Sequence, residues 1–230
     1  MLELDNLLIQ QGAFSLAANL TIPAGQTTAI LGPSGAGKST LLLALAGFTA
    51  CQGRIIWRGD DISSLSPSAR PVSMLFQENN LFPHLSVAQN VGLGIRPDLK
   101  LTEADRQAVR HALDKVGLTK READLPRSLS GGQRQRVALA RGLLRKKPLW
   151  LLDEPFAALG PALRHEMLAL VEEIRAGQDA TVLLVTHAPE EARRIANTCI
   201  FVDNGQVAPP VDTASFFKTP SQGFTAYLGQ

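Results

Sequence analysis

Gly32-Pro33-Ser34-Gly35-Ala36-Gly37-Lys38-Ser39 carries the spacing G-x-x-x-x-G-K-S, and what flanks it decides the fold. Upstream, Pro23-Ala24-Gly25-Gln26 reads as a turn and Thr27–Leu31 as a buried strand feeding the loop. Downstream, residues 38–47 are dense in Leu and Ala and read as a helix ending at Gly47. A Gly-rich loop in that setting lets successive backbone N–H groups point at phosphate oxygens, and the helix N-terminus adds about half a positive charge. Lys38 would reach the β and γ phosphates of a nucleotide, and the Ser39 hydroxyl would ligate Mg²⁺. The candidate phosphate cradle is therefore Gly32, Pro33, Ser34, Gly35, Ala36, Gly37, Lys38, Ser39 and the following Thr40. A plain Gly-rich turn with a solvated Lys would not need a strand before it and a helix after it.

Further out, Leu2, Leu4, Phe14, Leu16, Leu20 and Ile22 alternate with polar residues and suggest short half-buried strands. Residues 54–57 and the Gly59-Asp60 turn add another, so the early strands suit a small antiparallel sheet beside a larger α/β core. From about 85 to 144 the signal is mostly helical; Thr102-Glu103-Ala104-Asp105 is a capped start with an acid three residues after the Thr, running to Val116 before Gly117. Strand-like runs return at 148–152 and 181–186, with helical segments at 162–175 and 189–196. Strands alternating with helices argue for a parallel sheet. The expected fold is α/β: a core with a parallel sheet, an N-terminal antiparallel β subdomain and an inserted helical subdomain at approximately 85–144, all within one domain spanning 1–230.

The composition sets limits on the class. With 45% hydrophobic and 19% charged residues the 230-residue chain can bury a core, and a net charge of +2 gives no reason to expect a nucleic-acid partner. Cys51 and Cys199 fit no metal or redox spacing and read as buried reduced thiols, which favours a reducing compartment. Met1-Leu2-Glu3-Leu4-Asp5 is no export signal. The strongest apolar run, 41–46, is far short of the roughly 18 residues a membrane span needs, so a membrane role would require docking through another protein.

Two further stretches carry chemistry. Leu149-Trp150-Leu151-Leu152-Asp153-Glu154 is an apolar strand ending in two acids. Ligands sit at the carboxyl ends of strands in open α/β sheets, so Asp153 can hold Mg²⁺ through water and Glu154 can orient or deprotonate an attacking water. Acids after apolar strands are common, and it is the phosphate loop that gives these two a role. Leu129-Ser130-Gly131-Gly132-Gln133 places a capping Ser and two glycines at a helix start, a second phosphate-binding N-terminus; its bland reading is a capped surface helix with a basic face.

The phosphate loop, residues 129–133 and Asp153-Glu154, in this order, resemble the ABC transporter ATPase family over nearly the whole chain. The resemblance implies ATP and Mg²⁺ as ligands, Gln77 as a contact to Mg²⁺ and the attacking water, and His187 as the switch that senses the γ-phosphate. It also implies a head-to-tail, ATP-dependent dimer in which Ser130, Gly131, Gly132 and Gln133 of one copy close on the nucleotide held by the other. Partners would be transmembrane permease subunits and, through them, a periplasmic substrate-binding protein, at the cytoplasmic face of the bacterial inner membrane. The run Arg70-Pro71-Val72-Ser73-Met74-Leu75-Phe76-Gln77-Glu78-Asn79-Asn80-Leu81-Phe82-Pro83-His84-Leu85, continued by Val87-Ala88-Gln89-Asn90-Val91-Gly92-Leu93-Gly94, is similar to ATP-binding subunits of thiamine importers. Alternatives are the ATPase of an iron or polyamine importer, or a soluble non-transport ABC ATPase. Residues 78–85 fall where the family docks its permease, and Leu81 and Phe82 either line that groove or pack in the core. The tail from Phe216 to Gly229 resembles the end of importer ATPase cores, so no C-terminal regulatory domain is expected.

The chain departs from the family's pattern twice. Ala157-Ala158-Leu159-Gly160 stands where the family reads Ser-Ala-Leu-Asp, which removes polar contacts across the dimer and suggests weaker communication between ATP sites. No adenine-stacking aromatic precedes the first core strand: Gln10-Gln11 lies near that place and Phe14, the nearest ring, reads as strand core, so GTP acceptance stays open.

Overall fold

The computed structural model describes residues 1–76 and 80–227. In chain order the elements are β1 (Leu2–Gln11), β2 (Phe14–Ile22), β3 (Thr27–Leu31), α1 (Lys38–Ala46), β4 (Gln52–Trp57), β5 (Asp60–Asp61) and β6 (Val72–Leu75). Three helices follow, α2 (Val87–Gly92), α3 (Glu103–Lys115) and α4 (Gly131–Leu144). The second half alternates as β7 (Leu149–Asp153), α5 (Pro161–Gln178), β8 (Thr181–Val185), α6 (Pro189–Ile195) and β9 (Thr198–Asp203). It closes with β10 (Gln206–Val207), β11 (Val211–Asp212), α7 (Thr213–Lys218) and α8 (Gln222–Tyr227). None of the described helices is long and apolar enough to cross a membrane.

The strands run in the order β5-β4-β1-β2-β10-β9-β3-β8-β7-β6, with β11 added on β9. The pairs β6–β7, β7–β8, β8–β3 and β3–β9 are parallel, whereas β4, β1 and β2 pair antiparallel. The expected parallel core and antiparallel N-terminal part are both present. They meet at β10, which pairs parallel to β2 and antiparallel to β9. β3, β7 and β8 are buried at every residue, as strands covered on both faces must be.

The N-terminal strands are longer than the alternation suggested. In β1 the buried positions run Leu2 and Leu4, then Leu7 and Ile9, a change of phase. A bulge between Leu4 and Leu7 causes it: the register slips against both neighbours there, and Asn6 takes φ 49°. One extra residue in the strand re-aims every side chain after it and leaves both halves facing the same core.

α1 links core and loop. Leu41, Leu42, Ala44, Leu45 and Ala46 are buried, each Leu contributing about 1.5–3 kcal/mol through removal from water. Gly47 turns left-handed at φ 85° and ends the helix. Buried Arg70 then takes up the last carbonyls, donating from Nη1 to Ala44 O at 2.8 Å and Leu45 O at 2.7 Å; a cation suits that end of the helix dipole. With its C-terminus fixed this way, α1 presents its N-terminus, and hence Lys38, to the edge of the parallel strands.

Between β6 and β7, α2, α3 and α4 pack on one another and share a cluster that includes Val87, Val91, Leu113, Val137 and Trp150. α2, α3 and α4 each begin with a reciprocal capping box, through Ser86 and Gln89, Thr102 and Asp105, and Ser130 and Gln133. Cys199 is buried as expected, but Cys51 is only half-buried, and both are free thiols.

Candidate functional site

The loop after β3 folds as its glycines require, with positive φ at Gly32, Gly35 and Gly37. Gly32 is the most constrained, since a Cβ there would fall 2.1 Å from the backbone Val202 O; at Gly37, φ 103°, a Cβ would fall 2.6 Å from Phe14 Cζ. Inside the loop Lys38 turns back on it, its Nζ donating to Gly32 O at 2.8 Å and Pro33 O at 2.7 Å. Burial pushes its ammonium pKa down, partly countered by Glu154 and Asp153. A cation held in a ring of backbone amides is placed to receive phosphate oxygens.

β7 delivers Asp153 to the adjacent strand end, where its Oδ1 accepts from the Ser39 hydroxyl at 2.9 Å. Burial raises the Asp153 carboxyl pKa, the Ser39 hydrogen bond opposes this, and Glu154 reinforces it. A hydroxyl and a carboxylate oxygen side by side are hard donors of the kind Mg²⁺ takes, with phosphate oxygens and water completing the shell. The donor set therefore fits the expected ion.

Glu154 leaves β7 in an unusual conformation. Its φ is 46°, which costs a residue with a side chain on the order of 1–3 kcal/mol. Its N–H donates to Val185 O at 3.1 Å, so the neighbouring strand β8 holds the turn in place. The carboxylate is thereby swung across to the residue that follows β8: His187 Nε2 lies 2.8 Å from Glu154 Oε1. The strain is held in place by this backbone pairing.

A cavity of about 310 Å³ gathers Ser34, Gly35, Gly37, Lys38, Ser39, Thr40, Glu154 and His187, together with Gln11 and Phe14. Gly-rich loop, acid and histidine thus line one cavity. Phe14 differs from expectation. It packs against the core cluster but is only partly buried, and its ring faces the cavity, because the tight β1–β2 hairpin pairs Gln11 with Phe14 directly beside the loop. Gln11 had no assigned role; its place opposite Phe14 in a hairpin pair was the available signal.

Ser130, Gly131, Gly132 and Gln133 do not line this cavity. Ser130 caps α4, accepting from Gln133 N–H at 3.2 Å while its own N–H donates to Gln133 Oε1 at 2.8 Å. The two glycines let that helix start sit on the Ala157-Ala158-Leu159 turn: a Cβ on Gly132 would lie 2.6 Å from Leu159 Cδ2. A second helix start is thus built, apart from the first and outside the lining of its own lysine's cavity. Gln77 lies outside the described residues. Of the two flanking residues with alternative readings, Leu81 packs on the core, while Phe82 is 47% exposed, edge-on to His84. His187 is also reached from the C-terminal part, where the Tyr227 hydroxyl donates to its carbonyl oxygen at 3.3 Å.

Residues 16–157 match the family model described as ABC transporter. Among curated proteins, the thiamine import ATP-binding protein of Cereibacter sphaeroides is 56% identical over 230 residues, covering 100% of both chains. The protein of the same name from Ruegeria sp. is 50% identical with the same full coverage. Among solved structures, a dimeric ATP-binding cassette in a post-hydrolysis state bound to ADP and Pi superposes with a TM-score of 0.83 at 28% identity, covering 93% of this chain and 99% of that one. The strand-loop-helix core, the antiparallel sheet and the helices between β6 and β7 are accordingly those of an ABC ATPase cassette.

Proposed function

This chain belongs to the ABC transporter family, and on that footing we propose that it is the ATP-binding, ATP-hydrolysing subunit of a bacterial thiamine importer. One observation carries the mechanism: Lys38, the Ser39–Asp153 pair and the Glu154–His187 pair meet at one cavity. The full-length likeness to thiamine import proteins supports the cargo, since no residue of this chain needs to touch thiamine for it to drive the transport.

In this reading the triphosphate displaces the carbonyl contacts of Lys38, whose ammonium takes the β and γ phosphate oxygens while the amides of residues 32–40 surround them. Ser39 and Asp153 would hold Mg²⁺, which neutralises charge on the β and γ phosphates; Gln77 is assigned there on family grounds. His187, drawn toward the γ-phosphate, lets go of Glu154, and the freed carboxylate orients and deprotonates the attacking water. Nucleotide binding and readiness for hydrolysis are then linked through one exchanged hydrogen bond.

The second helix start, Ser130 to Gln133, is outside its own cavity, and this supports a head-to-tail dimer in which it closes on the partner's γ-phosphate. The related cassette of known structure is itself dimeric. We take residues 1–230 as one domain, with the helices at approximately 85–144 as its insertion toward transmembrane permease subunits. A periplasmic binding protein would deliver cargo to that permease, and the chain would sit at the cytoplasmic face of the inner membrane.

The test is phosphate release by the complex with its permease and binding protein, with thiamine, iron or a polyamine added. Thiamine should stimulate turnover and Glu154→Gln should abolish it while ATP still binds. Stimulation by iron or polyamine alone would reassign the cargo, and unchanged turnover in Glu154→Gln would remove that carboxylate from the chemistry.

A further inference from the structure

A second cavity, of about 230 Å³, adjoins the first through Glu154 and His187, which line both. Its far wall is a continuous chain of polar contacts that the mechanism above does not use. Arg164, in the first turn of α5, donates from Nη2 to Leu159 O at 3.1 Å, and its buried Nε lies 3.4 Å from Glu191 Oε1, an ion pair without a hydrogen bond. The other oxygen of Glu191 accepts from the Thr186 hydroxyl at 2.6 Å. That hydroxyl in turn accepts from Ala188 N–H at 3.0 Å. His187 is therefore bracketed: the residue before it and the residue after it are tied together by one hydroxyl.

The physical chemistry of the chain is restrictive. Thr186 is 3% exposed and Glu191 8% exposed, so neither can turn to water without leaving a buried polar group unpaired. A buried carboxylate requires a partner cation, and Arg164 is the cation beside it. The Thr186 hydroxyl has spent its one proton on Glu191 and a lone pair on Ala188, so its rotor is fixed. At the opposite end, Arg164 holds a backbone carbonyl of the Ala157–Gly160 turn, whose own side chains are a methyl, a methyl, a buried Leu and none. That turn packs on Gly131 and Gly132 at the start of α4.

We propose that Thr186 and Glu191 are positioning residues for His187, and that Arg164 couples them to the Ala157–Gly160 turn and so to the α4 helix start. Movement of the turn when a partner copy engages the α4 start would pass through Arg164, Glu191 and Thr186 to the backbone on both sides of His187. In a chain whose turn lacks the Ser and Asp side chains, this side-chain grip on its main chain is a polar link between the turn and Glu191. The inference rests on the role given to Glu154 and His187 above, and deepens it.

The experiment compares Thr186→Val, Thr186→Ser and Glu191→Gln with wild type and Glu154→Gln in the full transporter complex. It reads kcat and KM for MgATP, and nucleotide bound per protomer. Thr186→Val keeps size but removes the hydroxyl; kcat should fall on the order of ten- to a hundredfold, as for a catalytic group displaced by about an ångström. KM and one bound nucleotide per protomer should be retained, and Thr186→Ser should recover most of the loss. Glu191→Gln keeps an acceptor for Thr186 but not the charge for Arg164, and should fall between. Wild-type kcat in Thr186→Val, beside an inactive Glu154→Gln, overturns this proposal alone. So does a loss of kcat matched by an equal loss of bound nucleotide, which would mean a folding role. Wild-type turnover in Glu154→Gln overturns instead the underlying reading of the site.

Discussion

His187 Nε2 and Glu154 Oε1 lie 2.8 Å apart, although one follows β8 and the other follows β7. Parallel pairing of Asp153 with Val185 brings these two chain ends level, and the left-handed turn at Glu154 aims its carboxylate across the gap. In the proposed mechanism the imidazole occupies Glu154 until the γ-phosphate draws it away. His187→Ala should leave ATP affinity within about twofold and lower turnover by roughly a hundredfold, the scale of losing one donor to the charge that develops on the γ-phosphate. Isothermal titration beside a phosphate-release assay checks this; a matching loss in affinity would assign His187 to binding.

Asp153 makes the nucleotide-free protein pH-sensitive. Burial raises its pKa, so the folded chain holds a proton more tightly than the unfolded one. Between the ordinary carboxylate pKa and that raised value, stability falls as pH rises, and above it the cost is constant. Asp153→Asn removes the cost and keeps an acceptor for Ser39. Its nucleotide-free melting temperature at neutral pH should exceed that of wild type. The difference should shrink toward acid, and Mg²⁺ should no longer tighten nucleotide binding. Calorimetry across pH would detect the opposite trend.

Gly132→Ala sets a methyl 2.6 Å from Leu159 Cδ2, in a buried contact. The side-chain end can shift, so the expected cost is about 1 kcal/mol, the low end for overpacking. Denaturant unfolding should show it, and Leu159→Ala in the same chain should abolish the additional effect of the glycine substitution. An equal penalty in both backgrounds would place the clash elsewhere.

Gly160 is the N-cap of α5 and makes no side-chain cap. Gly160→Asp should therefore raise stability by only a few tenths of a kcal/mol, since Gly is itself a tolerable cap. With Ala157→Ser added, ATP cooperativity in the assembled transporter should increase. A Hill coefficient that stays at the wild-type value would show that these side chains do not set coupling here.

Gln11 and Phe14 line the same cavity as Lys38. Gln11→Tyr should improve ATP binding several-fold, consistent with about 0.5–1.5 kcal/mol for an added aromatic stack, and should favour ATP over GTP. Competition titrations with both nucleotides measure the ratio.

The local parts of this molecule were legible in the sequence. β3 and the start of α1 fall where the apolar run and the Gly-rich spacing put them, and Lys38, Ser39, Asp153 and Glu154 follow from motifs only a few residues long. β1 was harder because its bulge shifts a period-2 pattern by one residue. Val72–Leu75 was not read as a strand, since four residues interrupted by Ser73 lack a pattern; pairing with β7 makes it one. Phe14 could not be placed because hairpin pairing with Gln11, and not its own hydrophobicity, directs its ring to the cavity. Arg164, Glu191 and Thr186 belong to separate elements and to no short motif, so only the folded chain joins them.

β10 is two residues long, yet among the described residues it is the strand that stitches the antiparallel sheet to the parallel one. The cavity proposed for the nucleotide straddles this seam, with Phe14 from β2 on one bank and Lys38 beyond β3 on the other. A bound triphosphate would therefore act as a rivet through two plates otherwise sewn by a short thread. The amides of Gln206 and Val207, which line neither bank of the cavity, should then exchange with solvent more slowly whenever the pocket is filled.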